Sequence, residues 1–369
     1  MKIGFDAKRY FHNQTGLGNY SRDLIRVLNT HYPQNEYVLF NPKPTENHQA
    51  YLQQNKNIEE VNPTGLFKTL NSFWRSYGIT KECEKRNISV YHGMSGEIPF
   101  GIHRKTKTVV TIHDLIFLRY PELYAKIDVK IHYRKFKYAA DNAHKVIAIS
   151  EQTKQDIVDF LKINPEKISV VYQGCSDVFK QNYSKDELNR VKLQHQLPGQ
   201  FILNVGTIEP RKNALQIVKA ITDIDTTLVL IGRKTTYWAA IEDYASKNNI
   251  SHKIKYLSNI SSQDLAIIYQ LATAMVYPSI FEGFGIPIIE ALYSKTPVIT
   301  SKSGVFPEAG GPNSLYIDPE STQEIKSAIE SILTDENLRQ TIANKSWDFV
   351  QKFNDDKIAQ QLMAVYSNL

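Results

Sequence analysis

"LNVGTIEPRKNALQIV", residues Leu203 to Val218, decides how the chain is read. An apolar run stops at a Gly-Thr pair, a basic pair follows, and apolar positions then recur at helical spacing, giving strand, loop and helix in succession. "FDAKRYFHNQTGLGNYSRDL", Phe5 to Leu24, uses the same device, with Gly16-Leu17-Gly18 in the loop. Working outward, "TTLVLIG", "KIKYL", "AMVYPS" and "TPVITS" alternate with stretches of helical period such as "WAAIEDYASK" and "IPIIEALYS". Nearer the start, "KIGFDA", "EYVLF", "SVYHG", "TVVTIHDL" and "KVIAIS" are likewise separated by helix-like segments. Such alternation predicts an α/β fold of parallel sheets covered by helices on both faces. The pattern restarts after the polar stretch Asp177 to Gln200, so a domain boundary is expected there, dividing residues 1–176 from 177–354.

Length agrees with two domains, since 369 residues exceed what one core organises. The 42% hydrophobic and 22% charged content are ordinary for a globular protein. No run approaches the roughly 18 apolar residues of a membrane-spanning helix. The opening "MKIGFDAKRYF" lacks the apolar segment of a secretory signal, and the two cysteines, Cys83 and Cys175, are too few for a disulfide framework or thiolate metal site. A cytoplasmic protein is expected. The net charge of +6 is mild, and no nucleic-acid partner is read from it.

In open α/β sheets ligands bind beyond the carboxyl ends of the strands, where a helix N-terminus presents free N–H groups to an anion. The Gly16 loop and the Gly206-Thr207 loop are both so placed. Gly16-Leu17-Gly18 lacks the third glycine of the dinucleotide fingerprint, which counts against an NAD site. A further segment, "PSIFEGFGIPIIEAL" (Pro278 to Leu292), sets Glu282 and Glu290 eight positions apart around Gly283-Phe284-Gly285, with Pro287 expected at the first position of the next helix. Taken singly, these features have plain readings. Arg211-Lys212 would be an exposed basic pair, Glu282 a helix cap, Glu290 a solvated helix residue and His113 a structural histidine. Taken together they point to a ligand site.

"VGTIEPRKN" followed downstream by "YPSIFEGFGIPIIEAL", with the Gly16 loop and "VVTIHDLIF", resembles the retaining glycosyltransferases of family 4 over most of the chain. The resemblance implies the GT-B arrangement, two Rossmann-like domains facing across a cleft. The N-terminal domain would bind the acceptor and the C-terminal one the nucleotide-sugar donor, with the last segment, about 355–369, crossing back to the N-terminal domain. It implies that Arg211 and Lys212 meet the charge that grows on the leaving diphosphate, with backbone donors from Gly16, Phe284, Gly285 and Ile286, and that Gly206 and Thr207 also bind the donor. Gly283 and Gly285 would permit close backbone approach. Glu282 would hold sugar hydroxyls and Glu290 the ribose diol, for which a carboxylate has two acceptor oxygens. Backbone near Asn259 and Ile260 would cradle the base, although Ser258 stands where many relatives carry glycine. His113 would position the donor sugar rather than act as general base, with the reaction on one face of the sugar. Replacing Glu282 or Lys212 by alanine is expected to remove most transfer activity and leave folding intact.

No cofactor beyond a UDP- or GDP-linked donor is implied, and no metal. Asp223-Ile224-Asp225 matches the metal-binding Asp-x-Asp of another glycosyltransferase fold but precedes a strand, on the wrong edge, and is read as a turn. The opening "GFDAKRYFHNQTGLGNYSR" is similar to mannosyltransferase-like members, favouring mannose or glucose as the hexose. The acceptor would be a saccharide or lipid-linked saccharide, as in bacterial surface-polysaccharide assembly. Other readings of the architecture are a sugar-nucleotide epimerase, a phosphorylase or a non-catalytic sugar or nucleotide binder; the Arg211-Lys212 pair counts against the last. Arg119 to Tyr138 carries six basic residues, two acids and five aromatic rings. It is either a peripheral contact with the inner face of the membrane or a solvated helix with its aromatics in the core.

Overall fold

Seven parallel strands make the first sheet of the computed structural model, which describes residues 1–369 apart from the side chain of Leu66. They are β1 (Lys2–Asp6), β2 (Glu36–Phe40), β3 (Ile58–Val61), β4 (Val90–Gly93), β5 (Lys107–Ile112), β6 (Lys145–Ala148) and β7 (Ile168–Val170). Their order is β3-β2-β1-β4-β5-β6-β7. Inner strands are covered on both sides, so their residues are apolar without alternation, as in β1, where Phe5 lies opposite Leu39 and His92. The helix Gly16–His31 lays Leu24, Ile25 and Leu28 on one face. Ile79, Cys83, Ala139, Ala140 and Ile157 cover the other.

The second sheet has β8 (Phe201–Val205), β9 (Thr227–Ile231), β10 (Ile254–Leu257), β11 (Ala274–Tyr277), β12 (Val298–Ser301) and β13 (Leu315–Ile317) in the order β10-β9-β8-β11-β12-β13. All pairings are parallel. Three strands were not visible in the sequence pattern: β3, β7 and β13. Each lies at a sheet edge, is three or four residues long and is only partly buried, so it carries no apolar run.

The chain divides into two units, residues 1–174 with 353–369, and residues 175–352. The closing helix Asp355–Ser367 packs on the helix Gly16–His31 and adds Ile358, Ala359, Leu362, Val365 and Tyr366 to the first unit's core. Burying a side chain such as Leu362 contributes about 1.5–3 kcal/mol. Polar ties fix the register of this return. Arg26 pairs with Asp355 at 2.7 Å, and the Tyr366 hydroxyl meets His92 Nδ1 at 2.7 Å.

Strand order reverses between β1 and β4 in one sheet and between β8 and β11 in the other. These switch points are where an open α/β sheet leaves a crevice at its carboxyl edge.

Candidate active site

Lys212 and Glu282 meet at the second unit's switch point. The loop after β8 carries Glu209, Arg211 and Lys212, and the loop after β11 carries Ser279 and Glu282. Because β8 and β11 pair directly, these loops lie side by side, with Ile280 N donating to the Arg211 carbonyl at 2.9 Å. Glu282 Oε1 accepts from Lys212 Nζ, from Arg211 Nη1 at 2.9 Å, from the Tyr277 hydroxyl at 3.0 Å and from Ser279 Oγ at 2.7 Å. Lys212 Nζ also bonds the Tyr277 hydroxyl at 2.6 Å, and Arg211 Nη2 meets Glu209 at 2.7 Å. Burial works to raise the Glu282 pKa, but Lys212 and Arg211 outweigh it and hold the carboxyl below its ordinary value. The result is a buried anion gripped by two cations.

The glycines here answer to backbone approach. A Cβ on Gly232 would fall 1.9 Å from the Gly206 carbonyl oxygen, so the ends of β8 and β9 touch backbone to backbone. Gly206 N donates to the Ile231 carbonyl at 2.8 Å, and Thr207 follows it into the loop. Gly285 has φ +110 and stands immediately before the helix Ile286–Tyr293. That helix opens at Ile286, so Pro287 takes its second position rather than the first; the left-handed glycine starts the turn one residue earlier. No side chain caps it, and among the described residues the Gly285 and Ile286 amides have no partner. Gly283 and Phe284 complete the loop, Phe284 being buried.

Glu290 sits one turn into this helix. The Tyr269 hydroxyl donates to its Oε2 at 3.0 Å, and burial pushes its pKa up to about 8 against that bond. Asn259, at φ +56, and Ile260 form the loop at the carboxyl end of β10, ended by Ser261, which caps the helix Ser262–Leu271. Asp223 and Asp225 lie before β9, at the amino edge; Asp223 pairs with Lys326 at 3.4 Å. No cluster of three or more metal-ligating side chains occurs among the described residues.

In the first unit, His113 follows β5 beside the β1/β4 switch point. Its Nε2 pairs with the Met94 carbonyl at 2.9 Å and its Nδ1 with Gln173 Nε2 at 3.2 Å. That fixes the neutral tautomer with hydrogen on Nε2. Burial, aided by the charge of Arg9, lowers its pKa to about 4 despite the Met94 contact. The Tyr20 ring meets the imidazole edge-on at 4.5 Å. Gly16 opens the helix Gly16–His31, where Thr15 gives no side-chain cap, and a Cβ on Gly16 would meet nothing within 4 Å.

Sequence reasoning missed Tyr277, Ser279, Tyr269 and Gln173. Tyr277 and Ser279 lie inside the quoted motif, and their position at a strand's carboxyl end was a usable signal. Tyr269 and Gln173 reach the site only through tertiary packing.

The segment after Arg119 forms a short turn and the helix Lys126–Asn142. Phe136 and Tyr138 are partly buried, whereas Leu123, Tyr124, Ile127, Ile131 and Tyr133 are exposed, Ile127 at 63%. No described helix is long and apolar enough to cross a membrane.

Two family models match in succession: Glycosyltransferase Family 4 over residues 15–177 and Glycosyl transferases group 1 over residues 185–347. The chain is 26% identical to the O-antigen chain mannosyltransferase B of Escherichia coli, over the full length of both. It is 29% identical to the O-antigen chain mannosyltransferase RfbU of Salmonella typhimurium, over 69% of this chain and 67% of that one. Among solved structures, Anabaena HepE in complex with UDP and glucose superposes with a TM-score of 0.76 at 18% identity, over 100% of both chains. Sucrose-phosphate synthase from Thermosynechococcus elongatus gives 0.80 at 20%, over 100% of this chain and 98% of that one. At such identities the structures establish the fold, which is GT-B. With the two family matches spanning most of its length, the chain belongs to glycosyltransferase family 4 and is a glycosyltransferase.

Proposed function

We propose that the protein transfers a hexose, with mannose favoured over glucose, from a UDP- or GDP-linked donor to a saccharide or lipid-linked saccharide, with retention of anomeric configuration, in surface-polysaccharide assembly. The observation that carries this reading is the Arg211, Lys212 and Glu282 cluster at the β8/β11 switch point. Two fixed cations beside an uncapped helix start suit the charge that develops on a departing diphosphate. Glu282 and Glu290 then serve as acceptors for donor hydroxyls, Glu282 on the sugar and Glu290 on the ribose. His113 has both ring nitrogens engaged, so it acts as a positioned wall for the sugar and no base is assigned to it. The O-antigen mannosyltransferase relatives support the hexose and the setting, and the UDP and glucose held by HepE support a nucleotide-sugar donor.

Thermal-shift screening of nucleotides and nucleotide sugars, followed by NMR of the product made from the best donor, tests this. A product of inverted anomeric configuration overturns the retaining reading, and stabilisation by no nucleotide overturns the donor site.

The exposed apolar ridge of Leu123, Ile127 and Ile131, flanked by Lys126, Lys130, Arg134 and Lys135, supports peripheral contact with anionic lipid on the cytoplasmic side. Co-sedimentation with anionic vesicles at low salt and release at high salt is expected; no sedimentation at low salt sinks that contact.

A further inference from the structure

β4 carries a histidine with no part in the site described above. His92 is fully buried, and burial, with a charge on His113 opposing its own, lowers its pKa to about 3, so the ring is neutral. A neutral imidazole gives a hydrogen from one nitrogen and takes one at the other. Both nitrogens are engaged. Nδ1 meets the Tyr366 hydroxyl of the closing helix at 2.7 Å, and Nε2 meets Thr111 Oγ1 at 2.7 Å. Thr111, fully buried on the neighbouring strand β5, reaches the Tyr20 hydroxyl at 3.1 Å on its other side.

The last member of this line stands against the site. The Tyr20 ring lies edge-on to the His113 imidazole, with centroids 4.5 Å apart and planes at 90°. Thr111 and His113 are two residues apart at the end of β5, and Tyr20 of the helix Gly16–His31 touches both. Met94, whose carbonyl holds His113 Nε2, is likewise two residues beyond His92. A tie for the closing helix would be complete at the contact of Tyr366 with His92, and Arg26 with Asp355 supplies another. The line goes further, through His92, Thr111 and Tyr366, whose burial is costly unless each polar group is met. Each hydroxyl has one hydrogen to give, so removing any of them leaves a buried neighbour short and frees the next.

We propose that Tyr20 is a positioning residue that holds His113 for the sugar, and that Thr111, His92 and Tyr366 hold Tyr20 in turn, so that the closing helix acts on transfer through the first unit's core. Thr111 anchors the Tyr20 hydroxyl, and the anchored ring gives the imidazole the face it rests against. No proton moves along the line; its contacts orient the groups they join. This inference rests on the reading of His113 as a wall for the donor sugar and extends it to residues that act through that wall.

The test pairs nitrogen-15 NMR of the histidine rings in the full chain with turnover of UDP-glucose or GDP-mannose, whichever the chain accepts. Tyr366→Phe and Thr111→Val keep the shape of the side chain and lose only a hydroxyl. Each is expected to shift the His113 ring resonances and to lower kcat roughly threefold to tenfold with KM unchanged, the pattern of an interaction made in the transition state. His92→Gln, whose amide offers both a donor and an acceptor, is expected to keep more activity than His92→Leu. Ile358→Val loosens the same helix without touching the line, so it should lower the melting temperature and leave the His113 resonances and kcat as they are. Unchanged His113 resonances in both hydroxyl variants overturn the proposal, as does an equal loss of kcat in Ile358→Val, or wild-type kcat in both hydroxyl variants where His113→Gln is impaired. Wild-type turnover in His113→Gln sinks the wall reading instead, so the two failures are distinguishable.

Discussion

The two units place cations at the same topological position and treat them oppositely. In the second, Arg211 and Lys212 already hold a counter-charge, Glu282, itself fastened by Tyr277 and Ser279. In the first, Arg9 follows β1 on the short helix Lys8–His12, and its Nε is buried without a hydrogen-bond partner. An anion reaching the second unit must therefore compete with an internal carboxylate. The cations of the second unit thus support the fold as well as the proposed ligand.

The largest effect that could break this contrast lies in Glu282 and Lys212. Either Lys212→Ala or Glu282→Gln should lower transfer by about a hundredfold to a thousandfold. Burial alters the expectation, drawn from sequence, that folding would be untouched. Glu282→Ala leaves Lys212 without a carboxylate and Arg211 with Glu209 alone, a loss of about 3–5 kcal/mol by denaturant unfolding. The pair Lys212→Met with Glu282→Gln should recover most of that stability and none of the activity; full turnover in the double variant would refute the site.

Glu290 gives a smaller effect with a sign that can be worked out. Its pKa is raised from 4.5 to about 8, so the folded protein keeps a proton that the unfolded chain has lost. Its contribution to stability is complete below 4.5 and declines as pH rises to about 8. Glu290→Gln removes that decline. Its melting-temperature advantage over the wild type should grow from pH 5 to 8 and then level, measured by scanning calorimetry at fixed ionic strength. A constant difference across that range would show that Glu290 is ionised throughout.

Much of this was legible in the chain because it is local. Glu282, Gly285 and Glu290 belong to one strand-loop-helix passage, and the spacing of Arg211 and Lys212 from β8 set them at a carboxyl edge. What the sequence concealed was long-range. Gln173 reaches His113 from sixty residues away, and Tyr269 meets Glu290 from a separate helix. The segment Arg119 to Tyr138 reads in sequence either as a membrane-surface contact or as a solvated helix with its aromatics in the core. Phe136 packs against Phe117, while Ile127 is left exposed.

The smallest effect sharpens the contrast by its absence. Asp223→Asn and Asp225→Asn, at the amino edge, should leave transfer within about twofold, and excess chelator should do the same. A strict divalent-ion requirement abolished by either substitution would move the site to the wrong end of the sheet.

The closing helix has a consequence for biogenesis. Because Tyr366 and Leu362 complete a core begun by Ile3 and Phe5, the first unit stays unfinished until the helix Asp355–Ser367 has left the ribosome, while residues 175–352 form an uninterrupted stretch that can fold before then. The usual vectorial order of synthesis is reversed. A ribosome stalled before the helix Asp355–Ser367 has emerged would therefore carry a finished second unit tethered to an incomplete first one, with His92 still awaiting the phenol that seals it.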